Sequence, residues 1–267
     1  MLRNACVAKD IEYIEIQARN FDFQPQRQLV RGDMMYRPAV SIAAQRTEQF
    51  LYAPEVATFY RDPEAVYYTC TNPTLLYQRS GLPIARTVFC TSPDRNILRA
   101  HVEFLGGFPL VLKFSGNSGG IGVIKLDGYE ALFSVLDFAL AQGQQPILCA
   151  YIENAIHWRI LVVGNKAIAR YRNPIDVDDF RSFGSTQPED FSRDCPTEME
   201  TIAVQAAHLL RQEFGGVDVL EHESGRLYLL ECNFPCYHPH AEKYGGIDVS
   251  GQMVEFLMEK SLRLSQA

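Results

Sequence analysis

The sequence predicts an α+β fold, and two stretches carry that expectation. The first is PLVLKFSGNSGGIGVIKL, residues 109–126. Here Leu110, Val111, Leu112 and Phe114 read as one strand and Val123, Ile124 and Leu126 as the next, with helical patterns on either side. The second is the run from 147 to 233. Three strands follow one another, a helix intervenes, and GVDVLEHESGRLYLLECN folds back as a hairpin. Hairpin-connected strands and helices in separate runs make the chain α+β.

In chain order, residues 1 to about 88 read as a small mixed region. DMMYRPAVS and EAVYYTC have strand composition, IAAQRTEQFLYAPEVATFY and NPTLLYQRSG look helical, and GLPIARTVFC reads as an extended link. TSPDRNILRAHVEFLGG follows as a helix with a Ser/Pro start and a glycine stop. The glycine loop comes next, then the helix GYEALFSVLDFALAQG and the strands PILCAYI, WRILVVG and KAIARYRN. A polar stretch, 173–195, has little apolar pattern, and a loop of that length is often functional. TEMETIAVQAAHLLRQEFG is a helix with a capping box from Thr197 to Glu200. DVSGQMVEFLMEKSLRL closes the chain as another helix.

The chain has 267 residues, 47% of them hydrophobic, enough for a substantial core in one large domain or two small ones. With 25 basic and 32 acidic residues its net charge is −7, which argues against nonspecific nucleic-acid binding. No long apolar run predicts a membrane span, and MLRNACVAKDIEYIEIQ carries acids and no apolar signal core, so a cytoplasmic protein is expected. Seven scattered cysteines, with no CxxC, read as thiols rather than bridges. ECNFPCYHPH gathers Cys232, Cys236, His238 and His240, at a spacing unusual for structural zinc.

Two features point to chemistry. SGNSGGIG has four glycines, and positive φ lets backbone N–H groups converge on an anion. Taken alone, the loop is either a phosphate cradle or a plain mobile turn. The hairpin says more. Closing it at Ser224-Gly225 pairs Glu223 with Arg226, His222 with Leu227, Leu220 with Leu229, and Asp218 with Glu231. Two carboxylates on one rung of a half-buried ladder repel each other, and a divalent cation would remove the conflict. Asn233, two residues past Glu231, faces the same side. Asp, Glu and Asn are hard oxygen donors of the kind that suits Mg²⁺, which takes one or two carboxylates plus substrate phosphates.

LVLKFSGNSGGIGV, ILCAYIENAIHWRILVVGNKAIARYRN, DDFRSF and GVDVLEHESGRLYLLECNFP occur in that order. Together they resemble the ATP-grasp superfamily, in its branch of ribosomal-protein-S6 glutamate ligase and related peptide ligases, over residues 75–262. The resemblance implies two α+β subdomains that sandwich ATP. A short pre-ATP-grasp region would occupy 1–88, a lid with the glycine loop 89–152, and a subdomain with the metal site 153–267. It implies that Lys113 contacts ATP phosphates, that Ser115, Gly116, Ser118, Gly119, Gly120, Ile121 and Gly122 fold over them, and that Tyr151 and Ile152 present hinge backbone to adenine. Arg159 and Arg172 would hold phosphate and developing negative charge, and Arg181 the acid substrate. Asp218, Glu231 and Asn233 would bind one or two magnesium ions, with manganese able to substitute.

The chemistry so implied is ATP-dependent carboxylate–amine ligation through an acylphosphate, on an amino acid or peptide, by an enzyme of the cytoplasm with a homodimer among its implied assemblies. A kinase on the same fold and an inactive nucleotide-binding regulator stay open as alternatives. Three positions depart from the family pattern. No lysine lies between Lys9 and Lys113, where the family has a second nucleotide lysine, leaving Arg79 or Arg86 as stand-ins. Cys149 and Ala150 stand where the hinge offers glutamine and glutamate, and His157 stands where an acid binds ribose.

Overall fold

Nine strands among the described residues build two antiparallel sheets in this computed structural model. The structure describes residues 1–24, 29–68, 70, 72–114, 120–175 and 178–266. The four-stranded sheet has the order β1 (Thr87–Phe89), β4 (Ile147–Ala150), β2 (Leu110–Lys113), β3 (Val123–Leu126). Its alternation is clean. Leu110, Leu112, Leu126 and Leu148 point to one face, where they pack with Leu98, Val102 and Leu105 of α1 (Arg95–Leu105) and Leu132 and Leu136 of α2 (Tyr129–Ala141). The odd-numbered residues of β2 therefore face away from the helices. α1 starts later than the Ser/Pro signal suggests: Asp94 is the cap, accepting from Asn96 N and Ile97 N at 2.8 and 3.1 Å. It stops at Gly106, whose φ of +102° suits glycine.

The five-stranded sheet runs β7 (Phe191–Ser192), β6 (Lys166–Asn173), β5 (Ala155–Val163), β8 (Phe214–His222), β9 (Leu227–Asn233). One face, with Ile160, Val162, Val217 and Val219, packs on Met199, Ile202, Ala203 and Ala206 of α3 (Thr197–Leu209). The other, with Leu161, Val163, Ala169 and Phe214, packs on Ala57, Phe59 and on Met253 and Leu257 of the closing helix, Val249–Gln266. The capping box does not form. Pro196 stands at the cap, and the Glu200 carboxylate accepts from Ala167 N of β6 at 2.9 Å instead. Among the described residues no helix is long and apolar enough to cross a membrane.

The N-terminal region departs most from expectation. The expected strand around Met34 is a single parallel bridge to Ala57. The second expected strand is a turn of 3₁₀ helix over Pro63–Tyr67, which starts at Pro63 and buries Ala65 and Val66. The long helix expected from 42 ends at Leu51, because Pro54 cannot continue it. The extended link contributes β1 to the four-stranded sheet, so that strand crosses the boundary expected at 88.

Candidate active site

The site begins with alternation along β5. His157 and Arg159 are two residues apart and share a face, and the register sets Arg159 opposite Asp218 of β8. Asp218 is 2% exposed, and both its oxygens are taken. Arg159 Nε donates to Oδ1 at 2.6 Å and Nη2 to Oδ2 at 2.9 Å, while His157 Nε2 lies 3.0 Å from Oδ1. Burial alone would raise the Asp218 pKa, but the charges of Arg159 and His157 outweigh it and hold the carboxyl below its usual range. Burial would likewise lower Arg159, and Asp218 reverses that too. The fork leaves Nη1 of Arg159 outside it, over Gly216. A Cβ at 216 would meet that Nη1 and Cys236 Cβ, each at 2.9 Å, so the glycine of GVD makes room for the guanidinium.

Glu231 stands opposite Asp218, as the hairpin predicts, but by another route. The turn begins one residue early, with Glu221 opposite Leu227, Leu220 opposite Tyr228 and Val219 opposite Leu229. A bulge at Leu230 then restores the register at Asp218. The expected pairs of Leu220 with Leu229 and His222 with Leu227 do not form, yet the acidic rung does. Glu231 keeps solvent access, but the protein packed around it and then the charge of Asp218 raise its pKa. Asn233 Nδ2 donates to Glu231 Oε1 at 2.8 Å and reaches Asp218 Oδ2 at 3.4 Å. Two facing carboxylates and an amide, with Glu231 still strained by its neighbour's charge, fit a hard cation that completes its shell with water and phosphate.

The lid reaches this rung from the other side. Lys113, at the end of β2, is close enough for its charge to lower the Glu231 pKa. Arg181, from the loop after β6, binds Asp179 at 2.6 Å and donates from Nη1 to Gly120 O at 3.1 Å, which ties that loop to the end of the glycine loop. Gly120 and Gly122 have φ of +75° and +76°, conformations that favour glycine. Ile121 between them is exposed. Ser115, Gly116, Ser118 and Gly119 lie outside the described residues. Tyr151 and Ile152 follow β4 and are half-buried. The Tyr151 ring centroid is 6.4 Å from that of Phe180 in the 173–195 loop.

Arg172 is not brought to this group. The partner of Arg159 on β6 is Tyr171, so Arg172 falls opposite Trp158, exposed and on the other face of the sheet. Arg86 is also directed elsewhere, donating to Phe104 O at 2.9 Å at the end of α1. Three further residues join the site. Ser182 Oγ makes a short contact with His157 Nδ1. Asn173, opposite His157 in the register, is 7% exposed with Oδ1 lacking a partner among the described residues. His157 itself was legible by alternation with Arg159, whereas nothing in the sequence marks Asn173. Among the described residues no three His, Cys, Asp or Glu side chains converge as a metal cluster. Burial pushes the Cys236 thiol up to about 12, and His238 instead sits 3.7 Å from Glu242.

Comparison with known proteins agrees with this architecture. The RimK-like ATP-grasp domain is matched over residues 72–257. A probable alpha-L-glutamate ligase of Serratia proteamaculans is 30% identical over 187 residues, covering 69% of this chain and 61% of the relative. A ribosomal protein bS6–L-glutamate ligase of Escherichia fergusonii is 31% identical over 185 residues, covering 68% and 60%. The chain thus spans about three fifths of the length of these curated relatives. Among solved structures, a RimK domain ATP-grasp protein from Sphaerobacter thermophilus superposes with a TM-score of 0.64 at 16% identity, covering 96% of this chain and 93% of that one. The ATP-grasp ligase PsnB, complexed with precursor peptide PsnA2 and AMPPNP, gives 0.60 at 17% identity, covering 82% and 65%. With a family match over most of its length and two α+β units, each built on an antiparallel sheet, the chain belongs to the RimK-like ATP-grasp family.

Proposed function

We propose that the protein is an ATP-dependent carboxylate–amine ligase of the cytoplasm, acting on an amino acid or peptide. The observation that carries this reading is that Lys113 lies close enough to the Asp218–Glu231 rung for its charge to act on Glu231. A cationic lid facing an acidic pair suits a triphosphate whose charge bridges them. The relatives named as glutamate ligases make glutamate the first acid and amine to test. Seven unpaired thiols accord with a reducing compartment.

In the proposed reaction a carboxylate oxygen attacks the γ-phosphorus and ADP leaves. An amine then attacks the acyl carbon, its proton is lost, and phosphate departs as the amide forms. Phosphoryl transfer depends on positioning and charge stabilisation, and this chain's residues divide that work. Lys113 draws the phosphates under the lid. Asp218 fixes Arg159 in one orientation with Nη1 outside the fork, aimed away from its own anchor. Arg181 holds the glycine loop against the substrate loop and is placed to meet the acid substrate. Glu231, Asn233 and Asp218 would hold magnesium, which supplies charge neutralisation for the phosphoryl oxygens.

The test is ATP turnover with a panel of amino acids, glutamate first, and hydroxylamine as the trapping amine. Hydroxamate together with ADP is the expected result. ADP with a stable phosphorylated product would make the protein a kinase, and ATP binding without turnover would make it an inactive nucleotide-binding protein.

A further inference from the structure

The family's second nucleotide lysine has no counterpart upstream of Lys113, because the chain has no lysine between Lys9 and Lys113. The four-stranded sheet carries another. In β3, Lys125 pairs with Val111, and Lys113 pairs with Val123. Val111 and Lys113 share a face by alternation, and so do Val123 and Lys125. Both lysines therefore project from the face turned away from α1 and α2, where Val111, Ile147 and Cys149 lie beside them. Both are half-buried, and among the described residues neither has a carboxylate within ion-pair distance.

The Lys125 ammonium stands 4.6 Å from the centroid of the Tyr151 ring, the first residue of the expected hinge. An aromatic face attracts a cation without neutralising it, so the charge stays available to an anion. Lys125 is two rungs closer to the hinge than Lys113, a step of about 7 Å along the strands. A nucleotide with its base at the hinge and its terminal phosphates under the glycine loop would pass Lys125 at the phosphate next to the ribose.

We propose that Lys125 is the second nucleotide lysine of this protein, binding the phosphate nearest the ribose from the far strand of the lid hairpin. The inference rests on the nucleotide reading given above. Tyr151 holds the ammonium in place before the nucleotide arrives, and the contact replaces an upstream lysine with one already on the lid sheet.

The test is calorimetric binding of adenosine, AMP, ADP and ATP to the full chain and to Lys125→Met, Lys125→Arg and Lys113→Met. Methionine keeps an aliphatic stem over Tyr151 and removes only the charge. Lys125→Met should weaken AMP, ADP and ATP alike by about tenfold, as expected for one charged hydrogen bond, and leave adenosine unchanged. Lys125→Arg should recover most of the loss. Lys113→Met should weaken ADP and ATP but not AMP. Wild-type affinity of Lys125→Met for AMP and ADP would overturn the assignment while leaving the nucleotide site standing. An equal loss of adenosine affinity would overturn it as well, by showing that the stem packs on the base. Failure of the wild-type chain to bind any of the four would remove the nucleotide reading itself.

Discussion

Lys113 on the four-stranded sheet and Asp218 on the five-stranded sheet face one site, yet their surroundings are opposite. Asp218 is buried and fully engaged, with a bidentate arginine, a histidine on the same oxygen and an asparagine at the edge. Lys113 and Lys125 are half-buried with no acidic partner at ion-pair distance among the described residues. The five-stranded sheet has settled its charges internally, and what remains is the excess of Glu231. The lid sheet keeps uncompensated positive charge on its open face. Folding stability should therefore depend on the Asp218 group far more than on the lid lysines, and substitutions can measure that difference.

The largest effect belongs to Asp218→Ala. Removing one partner of a buried ion pair strands the other, at a cost of about 3–5 kcal/mol. Arg159 would lie on the central strand of its sheet with its fork unpaired. Urea unfolding should show that loss, and the double variant Arg159→Met/Asp218→Ala should lose less than the two single losses added, because no orphaned cation remains. Simple additivity would mean that the fork does not hold the sheet.

A smaller effect is expected where the glycine loop meets the 173–195 loop. Gly120→Ala forces a side chain into φ +75° and puts its Cβ 3.1 Å from Arg181 Cδ. Left-handed backbone costs about 1–2 kcal/mol for a non-glycine residue. The strain is local, so faster amide exchange at Phe114, whose N–H bonds to Gly122 O, should exceed any fall in the unfolding midpoint. Unchanged exchange there would show that the loop tolerates the side chain by moving away from Arg181.

Glu231→Gln should act in the opposite direction. The carboxyl is raised by surrounding protein and by Asp218, so the folded chain binds its proton more tightly than the unfolded chain. That group's contribution is then present below the unfolded value near 4.3 and is lost as pH rises through the higher folded value. Glutamine removes the repulsion, and after solvent screening the gain at neutral pH is about 0.5 kcal/mol. A stability curve in which this variant and the parent run parallel from pH 4 to 7 would contradict the raised carboxyl.

Which of these features the sequence disclosed follows from how local their causes are. The acidic rung was legible because alternation is local, and the two offsets that separate the observed hairpin from the expected one cancel at Asp218. The bulge at Leu230 was not legible, since no glycine or proline marks it. Arg159 was expected in one site with Asp218 and stands beside it, but its neighbour on β6 is Tyr171. Arg172 has the right residue type and the wrong parity. The capping box failed because Glu200 had a tertiary partner in Ala167 N, which local pattern does not contain. The N-terminal strands failed for a related reason. Tyr and Val in EAVYYTC suit a strand, but Pro63 and the packing of Ala65 and Val66 select a helical turn. Asn173 and Ser182 became visible only when β5, β6 and the following loop were set side by side.

The smallest change in stability is expected from Lys113→Met, and it is the most direct test of the comparison. The ammonium has no ion-pair partner, and the aliphatic stem is replaced by one of similar length, so unfolding should move by less than about 0.5 kcal/mol. The carboxyl of Glu231 should nevertheless respond. Lys113 lowers its pKa across the gap between the sheets, so removing that charge should raise it further. Carbon-detected titration of Glu231 in the two proteins would read this shift without nucleotide, metal or turnover. A Glu231 titration unmoved by Lys113→Met would mean that the lid and the acidic rung do not meet in solution, and a triphosphate could not then bridge them.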